Sequence, residues 1–386
     1  MNKLIIDKIQ PNTNGVDIDI VIAGKKETVK IDFSQNAIRH LTTDRADAII
    51  MGLLMFAIRQ NMDIESHIPI SETLYYKLTH HFIPGICGDR VHQPRIYAEI
   101  VKDLPPSADG GIVATGISCG VDSLYSIMEH TKKVSDNNRL NHLVFLDAGA
   151  HHFGSKDLWD ELYMGRLENA RNFSKEVGLP LIEISTNLPE IFDKYTTYDH
   201  LEHHTYMMLS CLLMIQSGVS HYYYSGGYSY EEFSCGLQKG KVLGCAHYDL
   251  FILWCASSPN ISFYSTGGSL NRVSKVRALN GYKPAEKYLN VCVASVRNCG
   301  HCFKCKRTLL ELDASGMVDQ FGGVFDINSY KKNRMRLIEE GYRGAIKGDE
   351  MLLEIMPFFN QNISPSKRFF QRARVMCGKI ASLIRK

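Results

Sequence analysis

Short apolar runs alternate with helical segments from residue 111 onward, and this alternation is the strongest constraint on the fold. Buried strands that are separated by amphipathic helices predict parallel strands joined by helical crossovers. The expected strands are 111–118, 141–146, 181–185, 221–225 and 260–265, and the expected helices are 122–133, 156–177 and 200–216. We therefore predict an α/β fold with a parallel, doubly wound sheet.

The residues before this alternation have a different pattern. Residues 16–22 and 27–33 each alternate apolar and polar side chains, and Gly24 lies between them, which predicts a β-hairpin. The other expected elements of this part are helices over 44–60 and 71–80 and a strand over 95–102. The segment 104–111 is rich in Pro and Gly, so we predict that 1–108 is a separate α+β accessory domain.

The composition is that of a globular chain, with 45% hydrophobic and 22% charged residues. No apolar run reaches the roughly 18 residues that a bilayer crossing needs, and the N-terminus lacks the apolar core of a secretory signal. A cytoplasmic location is therefore the expectation. The formal net charge of +3 is too small to indicate a nucleic-acid partner by itself.

Four of the eleven cysteines are closely spaced as C-x6-C-x2-C-x2-C, at Cys292, Cys299, Cys302 and Cys305. This spacing suits one tetrahedral Zn²⁺ with four thiolate ligands. An iron–sulfur cluster is the main alternative, because four cysteines also suit it. Zinc is favoured because the group lies far along the chain from the loop described next and no Cys-Pro follows it.

A short polar loop joins the first expected strand to the first expected helix. A loop at this place turns backbone N–H groups toward an anion, and the start of the next helix adds positive charge. Asp122 is a candidate helix cap and magnesium ligand, and Ser118 and Ser123 are candidate hydroxyl donors. The predicted phosphate-binding residues are Ser118, Cys119, Gly120, Val121, Asp122 and Ser123. An ordinary strand-to-helix turn is the alternative.

This loop resembles the SGGxDS signature of the PP-loop (N-type ATP pyrophosphatase) family. The resemblance implies a HUP-type (adenine nucleotide alpha hydrolase-like) sheet that binds ATP with Mg²⁺. It also implies nucleotide contacts at Asp147 and at Ser225 and Gly226, which end later strands. Cys119 replaces a signature glycine, so a positive φ there would cost about 1 kcal/mol. Cys119 is either a local change of loop shape or a reactive thiol.

The loop followed by the four cysteines is similar to 7-cyano-7-deazaguanine synthase over about residues 111–312. That resemblance implies an ATP-dependent ligase in which a carboxylate attacks the α-phosphorus, pyrophosphate leaves, and ammonia or another nucleophile displaces AMP. A PP-loop enzyme that thiolates tRNA, or otherwise modifies nucleic acid, is one alternative. An inactivated nucleotide-binding scaffold is the other.

Three further residues are candidates for catalysis. His247 follows a Gly-Cys-Ala turn and could act as a general base, while Arg272 and Lys275 lie three residues apart on one expected helix face, a spacing suited to holding phosphate or carboxylate. Together with Asp122 and Ser123 they form the predicted catalytic set. A hydrogen-bonded loop histidine and a solvated basic helix face are the alternatives.

The end of the chain is predicted to be helical and basic. No acidic residue follows Glu354, and residues 366–386 repeat apolar side chains at spacings of three and four among basic ones. Packing on the body of the protein is the simplest interpretation; a membrane surface, a protein partner or a nucleic-acid acceptor are the others. The expected domains are 1–108, 109–290 for ATP binding, 291–320 for zinc binding, and a helical extension over 321–386.

Overall fold

The computed structural model describes residues 3–89, 91–107, 110–132, 134–150, 156–235 and 244–384. The chain forms two compact units. The first takes in the described residues up to Ser118 together with Glu129–Ser269, and the second takes in Cys119–Met128 and the chain from Leu270 onward. Each unit is described by itself below.

The first unit contains a ten-stranded sheet and a separate two-stranded one. The strands are β1 (Lys3–Pro11), β2 (Gly15–Ile22), β3 (Lys25–Phe33), β4 (Asp63–Ser66), β5 (Ile70–Ser71), β6 (Ile96–Tyr97), β7 (Ile100–Val101), β8 (Ile112–Gly116), β9 (His142–Asp147), β10 (Leu181–Thr186), β11 (Val219–Ser225) and β12 (Ser262–Thr266). The large sheet has the order β12-β11-β8-β9-β10-β3-β2-β1-β4-β6, and β5 pairs with β7.

The five strands from β8 onward pair in parallel with one another, and β1, β4 and β6 form a second parallel run in the same sheet. Numbered along the chain, the order of the five strands is 3-2-1-4-5, so successive connections move to one side of β8 and then return to its other side. Sheets of this order bind ligands outside the carboxyl ends of the strands where the direction reverses, here between β8 and β11. The strand ends lie within two residues of the sequence prediction, and the prediction of an α/β fold with a parallel sheet is confirmed.

The N-terminal strands extend this same sheet. The predicted hairpin is β2 and β3, with Val16, Ile18, Ile20 and Ile22 buried on one face. β3 then pairs antiparallel with β10, through Ile31 to Phe33 opposite Ile184 to Thr186. The strands on both sides of the expected boundary near residue 108 therefore share one sheet, and the independent folding of 1–108 stays a prediction.

Most of the helices before residue 270 belong to the first unit. They are α1 (Gln35–Ile38), α2 (Asp47–Arg59), α3 (Glu72–Lys77), α4 (Ile83–Cys87), α5 (Val121–Lys132), α6 (Lys156–Val177), α7 (Leu188–Asp193), α8 (His200–Leu213) and α9 (Asp249–Ala256), and α5 begins in the second unit. α2 is buried over nearly its whole length and packs against α8. A helix that is apolar on all sides is stable only inside a core, which explains its sequence AIIMGLLMFAI.

The second unit is helical. Its helices are α10 (Arg272–Ala278), α11 (Lys283–Tyr288), α12 (Phe303–Ala314), α13 (Ile327–Lys347), α14 (Glu350–Leu353), α15 (Met356–Asn362) and α16 (Pro365–Ile384). Asp326 caps the start of α13 by accepting a hydrogen bond from Ser329 N, and Gly348, with a φ of 106°, caps its end. Among the helices in the described ranges, none combines the length and apolar character that crossing a bilayer demands.

Candidate functional site

The loop after β8 has one residue in an unusual backbone conformation. Cys119 has a φ of 55°, in the left-handed region that favours glycine, and its side chain is buried. Its carbonyl oxygen accepts a hydrogen bond of 2.8 Å from Asn290 N. The signature that this loop resembles has glycine at the same position, so the conformation agrees with the resemblance while the residue type does not.

The loop leads directly into α5. The helix begins at Val121, which places Asp122 in its first turn, although the sequence suggested it as the cap. Gly120 O accepts hydrogen bonds from Leu124 N at 3.0 Å and from the Ser123 hydroxyl at 3.0 Å. The first N–H groups of a helix have no partners inside the helix, so this end carries partial positive charge. Such an end is able to bind an anion.

Asp122 contacts two of the predicted catalytic residues. Its Oδ2 lies 2.5 Å from Arg272 Nη1, and its Oδ1 lies 3.3 Å from Lys275 Nζ. Arg272 and Lys275 are buried, and 21% of the Asp122 side chain is exposed. Burial alone raises the pKa of Asp122, but the attraction of the two cations outweighs it, so the pKa of this carboxyl lies below its ordinary value. Asp122 is therefore ionised at neutral pH.

The local sequence of α10 explains this geometry. Asn271 caps the helix by accepting a hydrogen bond of 2.9 Å from Ser274 N. Arg272 and Lys275 then lie three residues apart and project from the same face, while Arg277 is exposed. Both side chains contact the carboxylate of Asp122, as their shared helix face allows, and their role in catalysis stays a prediction.

A second carboxylate behind Arg272 was not predicted from the sequence. Glu311 is fully buried in α12, with Oε2 3.5 Å from Arg272 Nε and Oε1 3.6 Å from Arg307 Nε. Burial raises the pKa of Glu311, and the two arginines offset only part of that rise. Arg307 and Glu311 are four residues apart after Cys305, a pattern that resembles an ordinary surface ion pair.

The four clustered cysteines converge in the second unit. Their sulfur atoms all lie within 4.8 Å of one another, and Sγ of Cys292 is 3.9 Å from Sγ of Cys302. Four sulfurs around one zinc at about 2.3 Å would be separated by about 3.8 Å. The N–H groups of His301 and Cys302 point at Sγ of Cys299, at 3.4 and 3.3 Å. This four-cysteine group is able to hold a metal ion, as the spacing predicts.

Gly300 makes the turn between Cys299 and Cys302 possible. Its φ is 71°, and the space where a Cβ would lie has no neighbouring atom within 4 Å. Glycine is therefore required here by backbone conformation and not by crowding. Asn298 holds the segment that precedes Cys292, because its Oδ1 accepts a hydrogen bond from Val291 N and its Nδ2 donates one to Leu289 O.

The remaining predicted nucleotide contacts belong to the first unit, at the carboxyl ends of β9 and β11. Burial, reinforced by repulsion from Glu190 and Asp160, raises the pKa of Asp147 to about 6. The hydroxyl oxygen of Ser225 is buried and has no hydrogen-bond partner among the described residues. A Cβ at Gly226 would come within 3.0 Å of Ser265 Oγ. Gly226 therefore allows a close approach of the chain at this point.

His247 also belongs to the first unit, in a 3₁₀ turn over Cys245–Tyr248. Its ring stacks on Tyr228 with centroids 4.2 Å apart, and its carbonyl accepts from Ser234 N. The structure thus brings Arg272 and Lys275 to Asp122, whereas His247 is held among aromatic and loop residues. Its proposed role as a base stays a prediction.

Two further sets of polar contacts in the first unit were not predicted. Tyr198 OH donates to Ala148 O at 3.2 Å, and a Cβ at Gly149, whose φ is 90°, would come within 2.6 Å of the Tyr198 ring. His204 and Thr205, from α8, each lie within hydrogen-bond distance of Tyr224 OH. The histidines at 200, 203 and 204 were the available sequence signal.

Comparison of the chain with models of protein families, with curated proteins and with solved structures finds no match.

Proposed function

We propose that this chain is an ATP-dependent ligase of the PP-loop type, similar to 7-cyano-7-deazaguanine synthase. In the proposed reaction a carboxylate is adenylated with release of pyrophosphate, and a nitrogen nucleophile then displaces AMP. The observation that carries the proposal is the left-handed conformation of Cys119, in the loop between β8 and α5. That is where the signature places glycine and where a sheet of this strand order has its ligand-binding loop.

The first turn of α5 supplies groups suited to phosphate. Its N–H groups and the preceding loop are the proposed contacts of the β- and γ-phosphates. Lys275 and Arg272 add two positive charges beside Asp122, whose single negative charge leaves the three groups with a net positive charge. Developing charge on the leaving pyrophosphate would be stabilised by such prearranged cations without further reorganisation.

Asp122 takes a positioning role in this proposal. Its carboxylate is engaged by two cations, and it would have to leave that pairing to serve as a magnesium ligand. The residues in this arrangement do not favour the expected magnesium role of Asp122, so no step is assigned to the metal. The pairing instead fixes both cationic side chains, which lose rotamer freedom before the substrate binds.

The proposed chemistry has two balanced steps. A carboxylate oxygen forms a bond to the α-phosphorus, and the bond from that phosphorus to the bridging oxygen breaks, so that pyrophosphate leaves with the electron pair. An amine or ammonia then adds to the acyl carbon and loses a proton, and AMP leaves with the carbon–oxygen bond pair. The Ser225 hydroxyl has no hydrogen-bond partner among the residues that the structure describes, and this supports its proposed role as a nucleotide contact, because buried polar groups ordinarily have partners.

We assign the four-cysteine group to structural zinc. Four thiolates close a tetrahedral shell and leave no position for a substrate, unlike a catalytic zinc site with three protein ligands. The resemblance to the deazaguanine synthase supports the same assignment. Iron with acid-labile sulfide in anaerobically purified protein would instead support the tRNA-thiolating alternative.

Carboxylate-dependent exchange of labelled pyrophosphate into ATP tests the proposal, because it reports the first step without the nucleophile. A panel that includes a deazapurine carboxylic acid should give exchange with at least one member. Lys275→Met should lower exchange by about a hundredfold, the effect of losing one charged donor to the transition state. Asp122→Asn should also lower exchange, because it releases the two cations from their fixed positions. Arg277→Met, on the exposed side of α10, is the matched control and should leave exchange unchanged.

Two outcomes would contradict the proposal. If the chain binds ATP but gives no exchange with any carboxylate, the scaffold alternative is favoured. If Asp122→Asn and Lys275→Met fold normally and exchange at the wild-type rate, the loop and its cations are not the reaction site.

A further inference from the structure

Helix α16 exposes an apolar face. Phe369 and Phe370 are each 70% exposed and Met376 is 64% exposed, although buried aromatic rings are a main source of stability in protein cores. Ala373 lies between them at the same three- and four-residue spacing and is exposed too. The packing of this stripe on the body, expected as the simplest interpretation, is not what the structure has over residues 365–377.

The opposite side of the helix contacts the second unit. Lys367 Nζ lies 3.0 Å from Glu339 of α13, Arg368 Nη1 donates to Asn360 of α15 at 2.6 Å, and Arg372 Nε donates to Tyr342 OH at 2.9 Å. These contacts turn the polar side of α16 inward and leave the phenylalanines outward. A helix that packed only to complete a core would have the reverse orientation.

The charges on α16 all have one sign. Lys367, Arg368, Arg372 and Arg374 lie in its described part, and the sequence has no acidic residue after Glu354. On a helix, positions 372 and 374 fall on the two sides of the stripe formed by 369, 373 and 376. An apolar face bordered by cations matches the boundary between lipid tails and anionic headgroups, where Arg stems extend and their charges remain in water.

We propose that α16 is a membrane-surface helix that docks the protein on an anionic lipid bilayer, with Phe369, Phe370 and Met376 in the acyl boundary. The exposed face of α16, on which this proposal rests, is independent of the proposed ligase activity. Duplex nucleic acid fits less well, because it would be contacted by outward cations and not by an outward aromatic pair. The ion pair between Lys367 and Glu339 is exposed and therefore contributes little stability, so breaking it during membrane docking would cost little.

Co-sedimentation of the full chain with vesicles tests this proposal. Binding should be weak on pure phosphatidylcholine, should strengthen when phosphatidylglycerol is included, and should fall as salt is raised. Phe369→Ser with Phe370→Ser should weaken binding to anionic vesicles at least about tenfold, from the lost burial of two rings. Arg374→Gln should weaken it about fivefold, the effect of one basic residue near an anionic surface.

Met335→Ser on α13 is the matched control. Met335 is also exposed, at 45%, but lies outside α16, so vesicle binding should not change. All these positions are exposed, and unchanged thermal unfolding would show that the variants fold.

Three results would overturn the proposal. One is equal binding of the wild type and the double phenylalanine variant to anionic vesicles. Another is dimerisation without lipid that the same variant abolishes, since a second copy would then cover this face. The last is tight binding to RNA with none to anionic vesicles.

Discussion

The backbone strain at Cys119 gives a prediction with a defined sign. A left-handed conformation costs a residue with a Cβ about 1 to 2 kcal/mol, and glycine avoids that cost. Glycine also has more freedom in the unfolded chain, which costs about 0.5 to 1 kcal/mol relative to alanine. At a φ of 55° the folded-state cost of a Cβ equals or exceeds the entropic cost of glycine, so the glycine variant is equally stable or more stable. We therefore expect Cys119→Gly to be at least as stable as Cys119→Ala, by between about 0 and 1.5 kcal/mol.

A position with ordinary helical geometry supplies the control. Ala345 is buried in α13, in the same unit as Cys119, and Ala345→Gly should cost about 1 kcal/mol. Both positions are buried, so the loss of one methyl group enters both comparisons and largely cancels. The difference between the two alanine-to-glycine steps is then about 1 to 2 kcal/mol and measures the strain at Cys119.

Urea unfolding of the three variants and the wild type would measure these free energies, provided that the slope of the transition stays constant. If alanine at position 119 proves more stable than glycine by as much as alanine at position 345, the left-handed conformation of Cys119 is refuted. Pyrophosphate exchange should survive in Cys119→Gly, because the loop would keep its shape with the residue that the signature has there.

Other contacts give further predictions. Asp147 has a raised pKa of about 6, so the native state binds its proton more tightly and stability from this group falls as pH rises from about 4 to about 6. Asp147→Asn should accordingly stabilise the protein at pH 8 by no more than about 3 kcal/mol and have no stabilising effect below pH 4, as urea unfolding at the two pH values would show. Arg272→Met should lower the free energy of unfolding by about 3 to 5 kcal/mol, because it removes the buried cation that contacts both Glu311 and Asp122. Arg277→Met should change it by less than about 0.5 kcal/mol when measured by urea unfolding in the same way. Purified protein should contain one zinc per chain by elemental analysis, and a strong chelator, or Cys302→Ser, should make the second unit more sensitive to limited proteolysis. A protease pattern that is unchanged by chelation would contradict a structural metal.

The strands β8 and β9 could be predicted because their central residues are buried and appear in the sequence as continuous apolar runs. The strands β10, β11 and β12 are only partly buried, and their alternation with helices was the signal that identified them. β1 could not be predicted, although it lies in the same sheet. Its register against β2 shifts between Ile6 and Lys8, so its side chains do not keep a regular alternation. The pairing of β3 with β10 joins residues about 150 positions apart, and a local pattern does not indicate which strand edges meet.

Some residues of the candidate site could also be predicted from the sequence, and others could not. The loop at 118–123, the cysteine spacing and the Arg272–Lys275 face are local features, and the sequence was sufficient to single them out. Glu311 was not found, because a carboxylate four residues from an arginine on a helix ordinarily lies at the surface. Its buried partner Arg272 comes from a different helix. Asp122 was given a metal role for a similar reason, since its cationic partners are 150 and 153 residues away.

Two hydrogen bonds of Asn290 connect the two strongest sequence features. The carbonyl of Cys119 accepts from Asn290 N, and the Oδ1 of the same asparagine accepts from the N–H of the zinc-ligand candidate Cys292. Strained backbone persists only where surrounding structure over-determines it. A metal that fixes Cys292 would hold Asn290, and Asn290 would hold the left-handed residue of the proposed phosphate-binding loop. Loss of the metal should therefore weaken nucleotide binding even though no cysteine of the cluster is proposed to contact the nucleotide.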